Sequence, residues 1–175
     1  MKELLDTLSS WQGEGTTPGR AVVVRTFGSA PRPEGAVLLH APDGRIAGSV
    51  SGGCVEGAAA EQIEHAWQTG NARVIRYGIS DEQAWDVGLA CGGTIDVLVE
   101  PVTPAVVIEA ARGSVGAGGH GSAVVTPLPA DSPPGEFGPH QPGEGAPPAA
   151  ELIVTDDGRL TGTLGSPELD AVFVE

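Results

Sequence analysis

Two cysteines stand against paired glycines, in Ser51-Gly52-Gly53-Cys54 and in Cys91-Gly92-Gly93-Thr94. Adjacent glycines let a backbone approach a ligand closely and turn its N–H groups inward. A helix start just after them would add unpaired donors and partial positive charge, a setting that suits an oxyanion. A cysteine in a first helical turn acquires a lowered pKa and so more thiolate, the form that binds soft metals or attacks sulfur. Two thiolates suffice for Cu(I) or a reversible disulfide, but they are only half of a structural zinc site, and no Cys-x-x-Cys spacing occurs. Cys54 and Cys91 are therefore the candidate metal ligands, with Ser51, Gly52 and Gly53 as candidate donors to an anion.

These loops need elements to hold them. Residues 3–12 predict a short helix, with Leu4, Leu5, Leu8 and Trp11 on one face. Arg20–Thr26 is a β-branched run that predicts a buried strand. Ala36–His40 and Arg45–Val50 predict a hairpin about Asp43-Gly44. A helix is expected over Cys54–Gln68, with Val55, Ala59, Ile63 and Trp67 on its apolar side and Gly70 as its C-terminal cap. Strands follow at Arg73–Tyr77 and Thr94–Glu100, with a capping box at Ser80–Gln83 opening a short helix between them. Pro104–Arg112 predicts a helix and Gly121–Thr126 a strand. The overall expectation is an α/β or α+β fold, a mixed β-sheet with flanking helices and a Pro/Gly-rich insertion. It divides into 1–103 with both loops, a continuation over 104–126, an insertion over 127–149, and a final 150–175. The insertion holds 8 of the 15 prolines.

The final segment repeats an earlier one. Asp43-Gly44-Arg45-Ile46-Ala47-Gly48-Ser49-Val50 matches Asp157-Gly158-Arg159-Leu160-Thr161-Gly162-Thr163-Leu164 at a constant offset of 114. The same hairpin built twice, as paired elements of one sheet, is the simplest reading. Ser166-Pro167-Glu168 stands where Gly52-Gly53-Cys54 would be, so any thiol chemistry belongs to the first copy.

Several motifs in order carry a family resemblance: Arg25-Thr26 with Gly28-Ser29, Pro31-Arg32-Pro33, Gly48–Glu56 and Gly88–Ile95. Over roughly residues 8–102 the chain resembles the XdhC/CoxI family, and the later repeat resembles a further part of the same N-terminal region. Members are maturation factors for molybdenum hydroxylases such as xanthine dehydrogenase and carbon monoxide dehydrogenase. The resemblance implies a carrier of molybdenum cofactor (molybdopterin) rather than a catalyst. It implies a hydroxylase apo-enzyme as partner, with a cysteine desulfurase or a separate Rossmann-domain chain as further partners. Longer members continue into a Rossmann-type domain, so functions that need it are expected to be absent or supplied by a separate polypeptide. The cofactor-binding set on this reading is Ser51, Gly52, Gly53, Cys54, Glu56, Cys91, Gly92 and Gly93. Arg25 and Arg32, which flank the Gly28–Gly35 loop, offset a bound phosphate. A Cu(I) carrier, a thiol-redox enzyme and a structural half of a Rossmann partner are the competing readings, and a homodimer would trap a ligand between its two copies.

Composition narrows the field further. The chain carries 9 Lys+Arg against 23 Asp+Glu, a net charge of −14. That field repels nucleic acid and anionic membranes. No run reaches the length of a membrane span and the N-terminus shows no signal segment, so the cytoplasm is the expected compartment. Gly116–Gly121 fits a G-x-G-x-x-G pattern but leads into a strand, the reverse of the dinucleotide-binding context. Asp86 and Asp96 are expected to be solvated or capping residues. The four histidines show no ligand spacing, and no catalytic triad is predicted.

Overall fold

The computed structural model describes residues 4–78, 92–113, 121–129, 145 and 151–172. Cys91, the predicted helix from Ser80, Asp86 and most of the Pro/Gly-rich insertion lie outside the described residues. The elements in order are α1 (Leu5–Gly13), β1 (Gly19–Phe27), β2 (Val37–His40), β3 (Ile46–Gly48), α2 (Glu56–Thr69), β4 (Arg73–Tyr77), β5 (Thr94–Glu100), α3 (Ala105–Gly113), β6 (Ser122–Val125), β7 (Leu152–Thr155), β8 (Leu160–Gly162) and α4 (Pro167–Ala171).

Strand alternation explains the first sheet. Ala21 and Val23 of β1 and Ile95, Val97 and Val99 of β5 point to one side. There α2 lays down Ala59, Ile63 and Ala66, small residues around a single larger one, so the helix sits close to the strands. Gly70 ends it in the left-handed conformation at φ 72°, as expected. The opposite face is covered in part by Leu8 and Trp11 of α1, joined by Val37, Leu39 and Ile108 of α3. The sheet runs β3-β2-β1-β5-β4, and every pairing in it is antiparallel. With β6-β7-β8 also antiparallel, the α+β alternative holds.

The two repeated hairpins lie in different sheets, not side by side in one. Each takes its own preceding strand as a third member: β1 pairs β2, and β6 pairs β7. What repeats is therefore larger than a hairpin. It is a helix, a strand, a hairpin and a loop into a second helix, and the two units meet where Ile108 enters the α1 cluster. Within the hairpins the bonds correspond one for one. Ala41 N–H donates to Arg45 O and Thr155 N–H to Arg159 O, at 2.9 and 3.0 Å. Ser49 N–H donates to Val37 O, and Thr163 N–H to Glu151 O.

Asp96 departs from expectation. Alternating between Ile95 and Val97, its side chain must leave by the face away from α2, and it is 0 % exposed there. Arg25 and Arg76 are its cross-strand neighbours in β1 and β4. Arg76 grips it with two bonds, at 2.6 and 2.8 Å, and Arg25 Nε lies 3.1 Å away. A carboxylate can be buried in a sheet when it is doubly paired in this way.

Candidate functional site

Sheet direction brings the glycine loops together. β1 and β3 are both antiparallel to β2 and so run the same way, while β5 runs against β1. The exits from β1 and β3 and the entry to β5 therefore share one end of the sheet. The loop over 28–35 bridges them. A Cβ built on Gly52 would lie 3.7 Å from the Pro31 ring, and one on Gly93 would collide with the Ser29 carbonyl. Glu34 anchors this bridge by accepting from Thr26 N–H at 3.1 Å. Ser29–Pro31 thus spans from Gly52 to Gly93, tightly packed at the Gly93 end and with room for a Cβ at the Gly52 end.

The loop after β3 is built around an internal anion. Glu56 folds back from the first turn of α2. Its Oε1 accepts from Ser49 Oγ at 2.6 Å, Val50 N at 3.1 Å and Ser51 N at 2.9 Å. Its Oε2 accepts from Ser51 Oγ at 2.5 Å and Gly53 N at 2.9 Å. Ser51 Oγ in turn accepts from Cys54 N and Val55 N, and Ser49 Oγ from Gly52 N. Every backbone N–H from Val50 to Val55 is donated within the loop. Burial works against the Glu56 charge, yet the Ser49 and Ser51 hydroxyls and the Ser51 N–H outweigh it and hold the carboxyl down to about 2.

This arrangement revises the expected roles. The donors of Ser51 and Gly53, which the sequence assigns to a ligand oxyanion, are taken by a carboxylate of the chain itself, and that of Gly52 by the Ser49 hydroxyl. Ser51 is buried and serves as a knot between Glu56 and the helix entry. Gly52 and Gly53 sit at φ 78° and 117°, which L side chains rarely adopt, so the chain turns there and α2 starts at Glu56 rather than at Cys54. Cys54 is left with a free, exposed thiol. Arg32 is exposed on the bridging loop. Arg25 lies on Asp96, on the sheet face opposite α2. Gly92 and Gly93 adjoin the bridge, and Cys91 lies outside the described residues. Sequence reasoning missed the pin formed by Glu56, although the offset of 114 signals it: Asp170 stands at the corresponding place.

The residues fit a bulky ligand better than a bare ion. Among the described residues no three His, Cys, Asp or Glu side chains are grouped to hold a metal. Among the described residues nothing lies within 4 Å of a Cβ placed on Gly53, beside the exposed thiol. A cofactor that brings its own metal ligands, and takes one or two thiolates at an open surface, suits that donor set.

Antiparallel sheets with glycine-bordered loops gathered at one strand end give the frame in which the relatives are compared. Residues 11–78 match the model of the XdhC and CoxI family. The molybdenum cofactor insertion chaperone PaoD of Escherichia coli K12 is 38% identical over 104 residues, covering 57% of this chain and 32% of its own. A probable xanthine dehydrogenase component from Bacillus subtilis 168 is 34% identical over 102 residues, covering 57% and 30%. The chain thus spans about a third of the length of these curated relatives. The crystal structure of a xanthine dehydrogenase from Bacillus halodurans superposes with a TM-score of 0.66 at 26% identity, covering 94% of this chain and 45% of that one. Among the described residues no helix is long and apolar enough to cross a membrane.

Proposed function

We propose that this chain binds molybdenum cofactor and hands it to the apo-form of a molybdenum hydroxylase of the xanthine dehydrogenase type. The observation that carries this reading is the exposed Cys54 thiol on a glycine turn, set beside a bridge that reaches the Gly92-Gly93 loop. The likeness to a molybdenum cofactor insertion chaperone supports it. In this reading Cys54 and Cys91 meet the metal or its sulfur, Gly52, Gly53, Gly92 and Gly93 admit the cofactor close to the backbone, and Arg32 faces its phosphate. Ser51 and Glu56 act one step back, by fixing the turn that presents Cys54, and Arg25 helps fix the β1 exit through Asp96. The bound cofactor supplies the molybdenum chemistry, and the chain supplies shelter and release.

Anaerobic equilibrium binding of molybdenum cofactor to wild type, Cys54→Ser and the double Cys54→Ser, Cys91→Ser variant tests the proposal. Stoichiometric binding by wild type, at least tenfold weaker in the variants, is the expected outcome. Equal binding by all three would remove the thiols from the site, and no binding by folded wild type would defeat the carrier reading.

A further inference from the structure

A second polar centre lies away from the loops, where the first sheet meets the second repeat. Arg20 of β1 donates through Nε to Glu100 of β5 and through Nη2 to Glu151, the residue before β7, at 2.6 Å for the latter. Thr126, just after β6, donates to the same Glu151 oxygen at 2.7 Å. The side chains of Arg20, Glu100 and Glu151 are 5%, 1% and 1% exposed. Glu151 Oε2 is buried and has no hydrogen-bond partner among the described residues. Among the described residues no other ionisable side chain bonds to this group from β1, β5, β6 or β7.

Two ionised carboxylates against one guanidinium would leave a net negative charge in a dry site, with one oxygen facing no donor. A low-dielectric setting disfavours that state, and like charges on a shared partner cannot both ionise easily. One proton on Glu100 brings the group to neutrality: one arginine cation, one carboxylate and one acid. Burial pushes the Glu100 carboxyl up, and Glu151 adds to that push while Arg20 opposes it.

We propose that Glu100 holds a proton at neutral pH, making Arg20–Glu100–Glu151 a proton-dependent clasp between the first sheet and the second repeat. Loss of the proton to solvent at alkaline pH leaves a buried negative charge at the head of β7. The clasp then loosens, and the second repeat opens from the first sheet while the loops around Cys54 stay in place. This inference does not depend on the cofactor reading.

Infrared spectroscopy of the full chain tests it directly. A protonated-carboxyl band is expected at neutral pH, shifted when glutamate is labelled with carbon-13 and lost on moving to alkaline pH. The band should be missing from folded Glu151→Gln and Glu100→Gln. Protection of β7 and β8 from hydrogen exchange, taken relative to the base-catalysed intrinsic rate, should fall at alkaline pH in wild type and stay flat in Glu151→Gln. Should the glutamine variants fail to fold, Thr126→Val takes their place, because removing the hydroxyl on Glu151 must move the band. No such band at neutral pH, or one that ignores all of these substitutions, would overturn the proposal.

Discussion

The unit from α1 to α2 and the unit from α3 to α4 share a scaffold and differ in what the scaffold carries. In the first, Ser49 Oγ and Val50 N–H donate to Glu56; in the second, Thr163 Oγ1 and Leu164 N–H donate to Asp170, at 2.8 and 2.6 Å. Gly48 and Gly162 both hold positive φ, 84° and 94°. The carboxylate pin and the glycine are therefore parts of the fold, because they recur where the cysteine does not. Only the first unit has Gly-Gly-Cys on its loop, a fourteen-residue helix behind it and strands β4 and β5 beside it. The second has Ser166 capping a five-residue helix with no buried residue. A functional element is best sought in what one copy has and the other lacks.

The comparison is most severely tested at the shared glycines. A Cβ on Gly48 would strike the Val37 carbonyl oxygen, and one on Gly162 the Glu151 carbonyl oxygen. Neither backbone oxygen can yield without breaking its strand pairing. Gly48→Ala is expected to cost about 3 kcal/mol or more, from the strained φ and the clash together. Gly162→Ala should leave the first unit's unfolding midpoint nearly unchanged and expose β7 and β8 to hydrogen exchange. Urea unfolding followed by exchange checks both, and equal global losses would show that the two units do not open separately.

Next in size is the pin. Glu56→Ala strips the acceptor from three backbone N–H groups and two hydroxyls. With water able to reach part of the loop, the expected cost is about 1–2 kcal/mol. Asp170→Ala should cost less than half of that, since its loop adjoins a helix that buries nothing. The pH dependence follows from the lowered Glu56 carboxyl. Its contribution is complete above the ordinary value of 4.5 and is lost as pH falls toward about 2. Acid titration of stability should therefore be shallower in Glu56→Gln than in wild type over that window.

Legibility from sequence follows the range of the interactions involved. Periodicity locates β1, β4, β5, α1 and α3 to within a residue or two, because alternation and the helical repeat are local. Boundaries shift where a side chain acts at a distance: α2 starts late because Ser49, Ser51 and Glu56 tie up Gly52–Val55, and β3 stops early at Gly48. The burial of Asp96 depends on which strands flank β5, and a linear reading does not pair Arg25 with Arg76. The clue lies in its apolar neighbours, Ile95 and Val97. The repeat at offset 114 is visible in the sequence, but its placement in a second sheet is not, since each hairpin recruits a strand outside the repeated octapeptide.

The smallest change in stability should come with the largest change in binding. Cys54 is exposed, and its thiol is free. Cys54→Ser should therefore shift the unfolding free energy by no more than about 0.5 kcal/mol. Replacing Gly52-Gly53-Cys54 with Ser-Pro-Glu, the sequence of the other copy, sharpens the contrast. The second loop closes on its acid with that sequence, but it turns at Gly165 where the first has Ser51, and Gly52 and Gly53 sit at positive φ, so the exchange lowers the unfolding midpoint. Cofactor binding by the folded variant should fall to the level of the double cysteine variant. If the exchanged protein folds and still binds cofactor, the difference between the two copies does not mark the site. Binding would then rest on what they share, beginning with the serine and threonine hydroxyls that face Glu56 and Asp170.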